Sequence, residues 1–322
     1  MEEWRKGWHP ENMNSKGDSD NVLIVGSGPA GLEAAWALCR RGYQVAVAEA
    51  KTEIGGRVSK ESKLPGLSAW GRVADYRQYQ LSQRSEVEIY LDSELNTESL
   101  IEFGFENICI ATGSQWRRDG VARQHVVPMS IAADASVYTP DDLMNGIVPS
   151  GKVIVFDDDH YYMGGVLAEL LVSHGAEVNL LTPSAYVSDW TINTLEQGAI
   201  HSKLVESGVD ITLNRGITEI HADHVSSNCI YTDRIEKYQC DAIVLVTSRI
   251  ENNGLYLDTL ARKNEWADNG IKSVQIIGDA NAPGPIAWAT YAGHRYAREL
   301  DKKDPGDKLT FRREITALAD PD

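Results

Sequence analysis

Residues 21–49 read NVLIVGSGPAGLEAAWALCRRGYQVAVAE, and this stretch decides the fold of the chain. The apolar run Val22–Val25 predicts a buried strand, and the apolar residues between Leu32 and Leu38 recur at helical spacing. A second apolar run, Val45–Ala48, predicts another strand. A strand, a helix and a second strand in this order form a β-α-β unit with parallel strands. The stretch therefore predicts an α/β domain.

Glycines with the spacing G-x-G-x-x-G lie between this first strand and the helix. Gly26 permits a tight turn, Gly28 lets the backbone approach a pyrophosphate, and Gly31 allows close helix–strand packing. Glu49 closes the second strand, where a carboxylate accepts hydrogen bonds from an adenosine ribose. Because the strand, the helix and the acidic residue occur at the spacing of a nucleotide-binding unit, the sequence favours an adenine-nucleotide site over a purely structural turn. We expect its residues here to be Gly26, Ser27, Gly28, Pro29, Ala30, Gly31, Glu49 and Ala50.

Further residues predicted to reach the nucleotide lie downstream. Gly56 and Arg57 follow the second strand, and Arg57 could pair with a phosphate or equally form a surface ion pair. The turn Ala111-Thr112-Gly113 ends another apolar run, and Gly278-Asp279 follows the apolar run Val274–Ile277. These short motifs are individually weak, but in this order they match the pattern of flavoproteins with two dinucleotide-binding domains. We therefore add Gly56, Arg57, Ala111, Thr112, Gly113, Gly278 and Asp279 to the predicted cofactor site.

A second β-α-β unit follows, with a strand at Val153–Phe156, a helix at Val166–Ser173 and a strand at Val178–Leu181. If the segment after Val274 rejoins the first unit, the second domain interrupts the first. The predicted fold is thus two Rossmann-like domains of the FAD/NAD(P)-binding type. The expected boundaries are 21–134 plus 248–322 for the adenine-nucleotide domain and 135–247 for the inserted domain.

The turn of the second unit lacks the glycines of a nicotinamide-binding fingerprint. Asp157, Asp158 and Asp159 stand at the pyrophosphate position, and Gly164 is the recognisable glycine. The interpretation we favour is a solvated acidic loop that replaces a lost site, with a cation site made by the aspartates as the alternative. We expect no NAD(P) in the second domain.

Composition excludes several classes of function. Acidic residues outnumber basic ones, 47 to 31, and the formal net charge of −16 disfavours nucleic acid and anionic lipid as partners. The first twenty residues have no apolar core of a signal peptide, and no apolar run is long enough to span a membrane. The four cysteines lie far apart without a C-x-x-C pair, so we expect neither disulfides nor an iron–sulfur cluster. We expect a cytoplasmic protein.

Other candidates for chemistry are weak. His221 and His224 lack residues that complete a metal set, and we predict no metal site. His294 and Arg295 lie in the last predicted helix, where they either approach the nucleotide or occupy the helix surface. No spacing supports a catalytic triad, so the catalytic residues stay unknown. Residues 1–20 form an N-terminal extension in which Trp4 and Trp8 either fold back on the chain or dock on a partner.

The sequence resembles one family along nearly its whole length. The stretches that carry the likeness are GWHPENMN (7–14), VLIVGSGPAGLEAA (22–35), LPGLSAW (64–70), ICIATGSQW (108–116), IVLVTSR (243–249), IIGDANAP (276–283) and AGHRYAREL (292–300). They resemble the C-terminal part of the trimethylamine, dimethylamine and histamine dehydrogenases, which are related to 2,4-dienoyl-CoA reductases. The resemblance implies FAD or ADP in the first domain. It also implies a TIM-barrel domain or subunit with FMN and an iron–sulfur cluster, and an electron-transfer flavoprotein as a further partner.

The sequence departs from that family because it begins where the barrel would end. We therefore expect a nucleotide-binding part of an amine-dehydrogenase-like oxidoreductase that is not catalytic by itself, with amine oxidation on a missing barrel. The alternatives are a free-standing FAD-dependent NAD(P)H oxidoreductase, which intact first-domain motifs would support, and a non-catalytic ADP-binding subunit.

Overall fold

The computed structural model describes residues 13–232 and 234–301, so the predicted docking residues Trp4 and Trp8 lie outside the described part. The helices are α1 (Pro29–Arg41), α2 (Val58–Glu61), α3 (Arg72–Ser82), α4 (Thr97–Glu102), α5 (Pro140–Met144), α6 (Met163–Ser173), α7 (Gln197–Glu206), α8 (Gly254–Ala261) and α9 (Ile286–Glu299).

The strands in the first half of the chain are β1 (Asn21–Val25), β2 (Gln44–Ala48), β3 (Val87–Tyr90), β4 (Asn107–Ile110), β5 (Ser114–Trp116), β6 (Ser130–Ile131), β7 (Val137–Tyr138) and β8 (Lys152–Asp157). The remaining strands are β9 (Glu177–Leu181), β10 (Asp210–Thr212), β11 (Arg215–Ile220), β12 (His224–Cys229), β13 (Ile235–Gln239), β14 (Ala242–Val246), β15 (Arg249–Glu251) and β16 (Ser273–Ile276).

The chain forms two compact units, and the second interrupts the first along the sequence. The first unit contains the described parts of 1–56, 73–113 and 252–322, and the second contains 57–72 and 114–251. Besides 57–72, the second unit contains a main segment that starts at Ser114, whereas the expected start was residue 135. The reason is that β5 pairs antiparallel with β15, which joins both ends of the insertion.

The first unit is built on a five-stranded parallel sheet in the order β16-β4-β1-β2-β3. Strands β1 and β4 are almost completely buried, as expected for a parallel sheet with both faces covered. The chain order reverses between β1 and β4, and ligands bind beyond the carboxyl ends of the strands at such a point. Gly26 follows β1 and Ala111 follows β4, so both lie at this edge.

The second unit has its own parallel sheet, in the order β10-β9-β8-β14-β7. A four-stranded sheet, β13-β12-β11-β6, and the pair β15-β5 complete it. Buried side chains from β8, α6 and β14, among them Val155, Leu167 and Val244, form its main core. Each of the strands predicted in the two β-α-β units is confirmed, and so is the helix in each.

Candidate functional site

The turn between β1 and α1 depends on two of its glycines for packing. Gly26 has φ +106°, and a Cβ atom on it would lie 2.4 Å from the carbonyl oxygen of Ala111. A Cβ on Gly31 would lie 1.9 Å from the carbonyl oxygen of Gly26. Real Cβ atoms do not approach oxygen so closely, so both positions require glycine for the fold itself.

Gly28 differs from these two glycines. Its backbone is extended, with φ −72°, and a Cβ atom on it would meet only the Cα of Gly56, at 4.0 Å. Neither strain nor packing within the described chain explains a glycine here. It is also the residue that precedes α1, whose first turn has no side-chain cap and no acidic residue. An uncapped helix N-terminus beside open space is a favourable place for an anion.

Glu49 lies at the end of β2, next to this turn. Its carboxylate is 6% exposed, and Oε2 accepts hydrogen bonds from the amide of Ser27 (2.8 Å) and the hydroxyl of Ser27 (2.6 Å). Oε1 accepts from the amide of Lys51 (3.0 Å). The predicted acid is therefore held against the glycine turn. The hydrogen bond from the Ser27 hydroxyl to Glu49 goes beyond what the glycine spacing predicts, since only the presence of a hydroxyl two positions before Pro29 can be read from the sequence.

The Gly55-Gly56 segment folds onto the same turn. The amide of Gly55 donates to the carbonyl of Ser27 (2.9 Å). Gly56 has φ +58°, and a Cβ on it would lie 2.9 Å from the Cα of Gly28. The structure thus brings Gly56 to the glycine turn, while the exposed Ala50 directly follows Glu49.

Arg57 belongs to the second unit, and its guanidinium is engaged by protein groups there. It forms an ion pair with Asp141 (3.0 Å) and donates to the carbonyl oxygen of Ser114. Its side chain is 16% exposed. The ion pair that the sequence left open for Arg57 is present, and a contact between Arg57 and a phosphate stays a prediction.

The two late motifs of the first unit also reach the edge of its sheet. The hydroxyl of Thr112 donates to the carbonyl of Asn252 (2.6 Å), and the amide of Asn252 donates to Gly113 (2.9 Å). A Cβ on Gly278 would lie 2.7 Å from the Cβ of Ala30, so this turn contacts the first turn of α1. Asp279 accepts from the amide of Gly284 (3.0 Å).

His294 on α9 contacts α1 through a structural network. Its Nδ1 lies 3.0 Å from a carboxylate oxygen of Glu33, and Arg298 donates to its Nε2 (3.2 Å). The other oxygen of Glu33 pairs with Arg77 on α3 (2.7 Å). Arg295 pairs with Glu299 (2.9 Å). These contacts link the helices, and an approach of His294 to the nucleotide stays a prediction.

The turn after β8 corrects one interpretation from the sequence. We favoured a solvated acidic loop, but Asp157 and Asp158 are 0% and 1% exposed. Oδ1 of Asp157 accepts from the amides of Asp159 (3.2 Å) and His160 (2.9 Å), and Asp158 accepts from the amide of Gln124 (2.7 Å). Backbone amides thus bond one oxygen of each carboxyl group, and the contact with Gln124 ties the loop to a distant part of the chain, which charge counting does not reveal.

Gly164 in α6 accommodates the Asp157 carboxyl group. A Cβ on Gly164 would lie 2.5 Å from the carboxyl carbon of Asp157. Oδ2 of Asp157 is buried without a hydrogen-bond partner in the described part of the chain. Burial raises the pKa of Asp157 to about 7, although the charge of His160 opposes this shift.

The buried environment of this turn also shifts the pKa values of Asp159 and His160. Burial raises the pKa of Asp159, while Arg249 and Arg123 oppose that change. Burial disfavours the charged form of His160, but the hydrogen bond that His160 donates to Asp158 and the nearby carboxylates outweigh it and raise the pKa of His160. His160 Nε2 lies 3.1 Å from Asp158. The turn is thus an internal network of charges.

Among residues 13–232 and 234–301, no three His, Cys, Asp or Glu side chains are grouped as a metal site would require, and this includes the aspartates after β8. His221 and His224 stack at 4.3 Å and pair with Glu219 and Asp223. No described helix is long and apolar enough to cross a membrane.

Two protein families match separate parts of the chain. The NAD(P)-binding Rossmann-like domain family matches residues 24–83, which contain the glycine turn and Glu49. The OYE-like second alpha/beta domain family matches residues 138–255, which contain the turn after β8.

Longer proteins match nearly the whole chain. Dimethylamine dehydrogenase of Hyphomicrobium sp. (strain x) is 34% identical over 343 residues, or 98% of this chain and 46% of the relative. The structure of histamine dehydrogenase from Rhizobium sp. 4-9 is 63% identical with a TM-score of 0.96, over 99% of this chain and 49% of that one. The 6-hydroxypseudooxynicotine amine oxidase from Pseudomonas geniculata N1 is 40% identical with a TM-score of 0.89, over 94% and 45%. The chain spans about half the length of these relatives.

Proposed function

Because this chain is a homologue of the nucleotide-binding half of the dimethylamine and histamine dehydrogenase family, we propose that its first unit binds ADP or FAD within an oxidoreductase of that family. The adenosine diphosphate portion would lie on the turn from Gly26 to Gly31, with its pyrophosphate at the N-terminus of α1 and its ribose at Glu49. Gly56, the Ala111–Gly113 turn and Gly278-Asp279 would line the remainder of this site.

The observation that carries this proposal is the open space beside Gly28. Gly26 and Gly31 are required by contacts within the chain, whereas a Cβ atom at Gly28 would meet only the Cα of Gly56, at 4.0 Å. A glycine that the fold does not need is explained by a ligand that approaches the backbone. The pyrophosphate of a dinucleotide makes that approach at this glycine of the fingerprint.

The test is a Gly28→Val substitution with a matched Gly254→Val control. Gly254 lies in the same unit, and a Cβ on it would meet nothing within 4 Å. We expect the Gly28 variant to fold and to lose at least about 100-fold in ADP affinity, a loss of about 3 kcal/mol. Bound nucleotide released from the wild type is identified by mass spectrometry, where a yellow protein would indicate FAD. Full occupancy in the Gly28 variant would refute the proposal.

We also propose that the second unit does not take NADH or NADPH. The carboxyl group of Asp157 fills the space next to Gly164 and accepts hydrogen bonds from the amides of Asp159 and His160, which lie between β8 and α6. A dinucleotide phosphate would have to displace this buried carboxyl group, and in its ionised form the group would also repel the phosphate.

Amine oxidation is proposed to lie on a TIM-barrel domain or partner that carries FMN and an iron–sulfur cluster. The support is that the matched dehydrogenases are about twice as long as this chain. Copurification with such a partner would support the assignment, and amine oxidation by the isolated chain would contradict it.

A further inference from the structure

Ser27 is tied completely into the chain around it. It is fully buried, and its amide and its hydroxyl both donate to Oε2 of Glu49. Its carbonyl accepts from the amide of Gly55 (2.9 Å). Because an amide and a hydroxyl each carry a single proton, Ser27 has no donor left for a phosphate. Its influence on a nucleotide therefore acts through Glu49.

The acceptor capacity of Glu49 is limited by these bonds. A carboxylate has about four acceptor positions, two on each oxygen. Ser27 fills both positions on Oε2, and the amide of Lys51 fills one on Oε1. Counting the contacts made by residues 13–232 and 234–301, one acceptor position remains, and it is on Oε1.

Glu49 cannot move easily to expose other positions. Its own amide donates to the carbonyl of Tyr90 (2.8 Å), and its carbonyl accepts from the amide of Ser93 (2.8 Å). The side chain is 6% exposed. The backbone and the carboxylate of Glu49 are thus both held in place by the protein. A contact that is held in place before a ligand binds costs less ordering when the ligand arrives.

We propose that Ser27 is a specificity-determining residue, because its hydroxyl limits Glu49 to one acceptor position and therefore to one hydroxyl of the nucleotide ribose. This inference rests on the proposed function, in which Glu49 contacts the ribose of ADP or FAD. A ribose offers two neighbouring hydroxyl groups. With Oε2 saturated, one of them bonds to Oε1 and the other bonds elsewhere.

The consequence is a characteristic pattern of affinities for deoxy analogues. Loss of the hydroxyl that bonds to Glu49 removes a hydrogen bond to a charged group and should weaken binding about 10-fold. Loss of the other hydroxyl should change affinity by less than about 2-fold at this residue. In the wild type, therefore, one of 2′-deoxy-ADP and 3′-deoxy-ADP binds weakly and the other binds nearly as ADP does.

The experiment compares ADP, 2′-deoxy-ADP and 3′-deoxy-ADP by calorimetry on the full chain after bound nucleotide has been removed. Ser27→Ala keeps the amide donor but frees one position on Oε2, so the second ribose hydroxyl gains an acceptor. We expect the previously tolerated analogue to bind about 5- to 10-fold more weakly than ADP in this variant. Ser27→Gly removes the same hydroxyl and gives the same readout if the alanine variant does not fold.

The matched control is Ser82→Ala in the same unit, where an exposed serine hydroxyl donates to the carbonyl of Tyr79. This control should keep the wild-type pattern. ADP binding with both analogues weakened equally, with neither weakened, or with an unchanged pattern in the Ser27 variants would overturn the inference. Failure of the wild type to bind ADP would instead overturn the proposed function.

Discussion

The turns after β1 and β8 occupy equivalent places in two parallel sheets, yet the space beside their glycines differs. In the first unit the space beside Gly28 is open. In the second unit the carboxyl group of Asp157 fills the space beside Gly164. Neither α1 nor α6 has a side-chain cap at its N-terminus. The comparison teaches that the same β-α-β topology leaves this space open in one unit and fills it with a side chain in the other.

The largest expected effect is the loss of NADH and NADPH binding when only the second unit can bind a dinucleotide. In a Gly28→Val chain, which blocks the first turn, we expect no binding of NADH or NADPH up to about 1 mM, at least about 1,000-fold weaker than micromolar affinity. At about 6 Å and an effective dielectric near 20, each carboxylate–phosphate pair costs about 2–3 kcal/mol. Calorimetric titration with and without Mg²⁺ measures this. Micromolar affinity, or steady NAD(P)H oxidation by the wild-type chain, would restore the free-standing reductase hypothesis.

The next effect concerns the pH dependence of stability in the second unit. The pKa of Asp157 is raised by burial to about 7, whereas an unfolded aspartate titrates near about 4. The folded chain therefore holds a proton that the unfolded chain has lost. The corresponding stability is fully present below about pH 4 and is lost as the pH rises through about 7. Three pKa units correspond to about 4 kcal/mol.

Asp157→Asn tests this titration, because asparagine keeps the accepting oxygen and does not ionise. Between pH 4 and pH 8 we expect the free energy of unfolding of the wild type to fall by up to about 4 kcal/mol relative to the variant. Urea unfolding at a series of pH values provides the measurement. The exposed Asp134→Asn, in the same unit, serves as the control. Parallel pH profiles of wild type and Asp157→Asn would contradict the buried-carboxylate interpretation.

The smallest effect distinguishes the glycines of the first turn. Gly31→Ala would place a Cβ 1.9 Å from the Gly26 carbonyl oxygen, and we expect it to lower the free energy of unfolding by about 1–3 kcal/mol or more. For Gly28→Ala we expect a change within about 0.5 kcal/mol, because a weaker helix cap is offset by lower entropy of the unfolded chain. Chemical unfolding of both variants checks this. Equal destabilisation would remove the argument that Gly28 serves a ligand.

Much of the fold followed from local patterns. The buried strands β1, β2, β8 and β9 are continuous apolar runs, and such runs bounded by turn residues identify strands of a parallel sheet. The last apolar run predicted that the chain returns to the first unit, and this run forms β16, which pairs with β4. These strands are buried, and a continuous run of apolar residues in the sequence indicates a buried strand.

The sequence by itself determined that a glycine turn and Glu49 stand at adjacent strand ends, since the spacing of strand, helix and strand dictates it. Only the tertiary structure decided how the carboxylates are used. Glu49 is held by the Ser27 hydroxyl, and Asp157 turns inward toward Gly164. Both outcomes depend on which part of the packed chain faces a buried carboxyl group: the Ser27 turn for Glu49, and Gly164 for Asp157. The packing of these segments sets the contacts, and spacing along the chain does not reveal them.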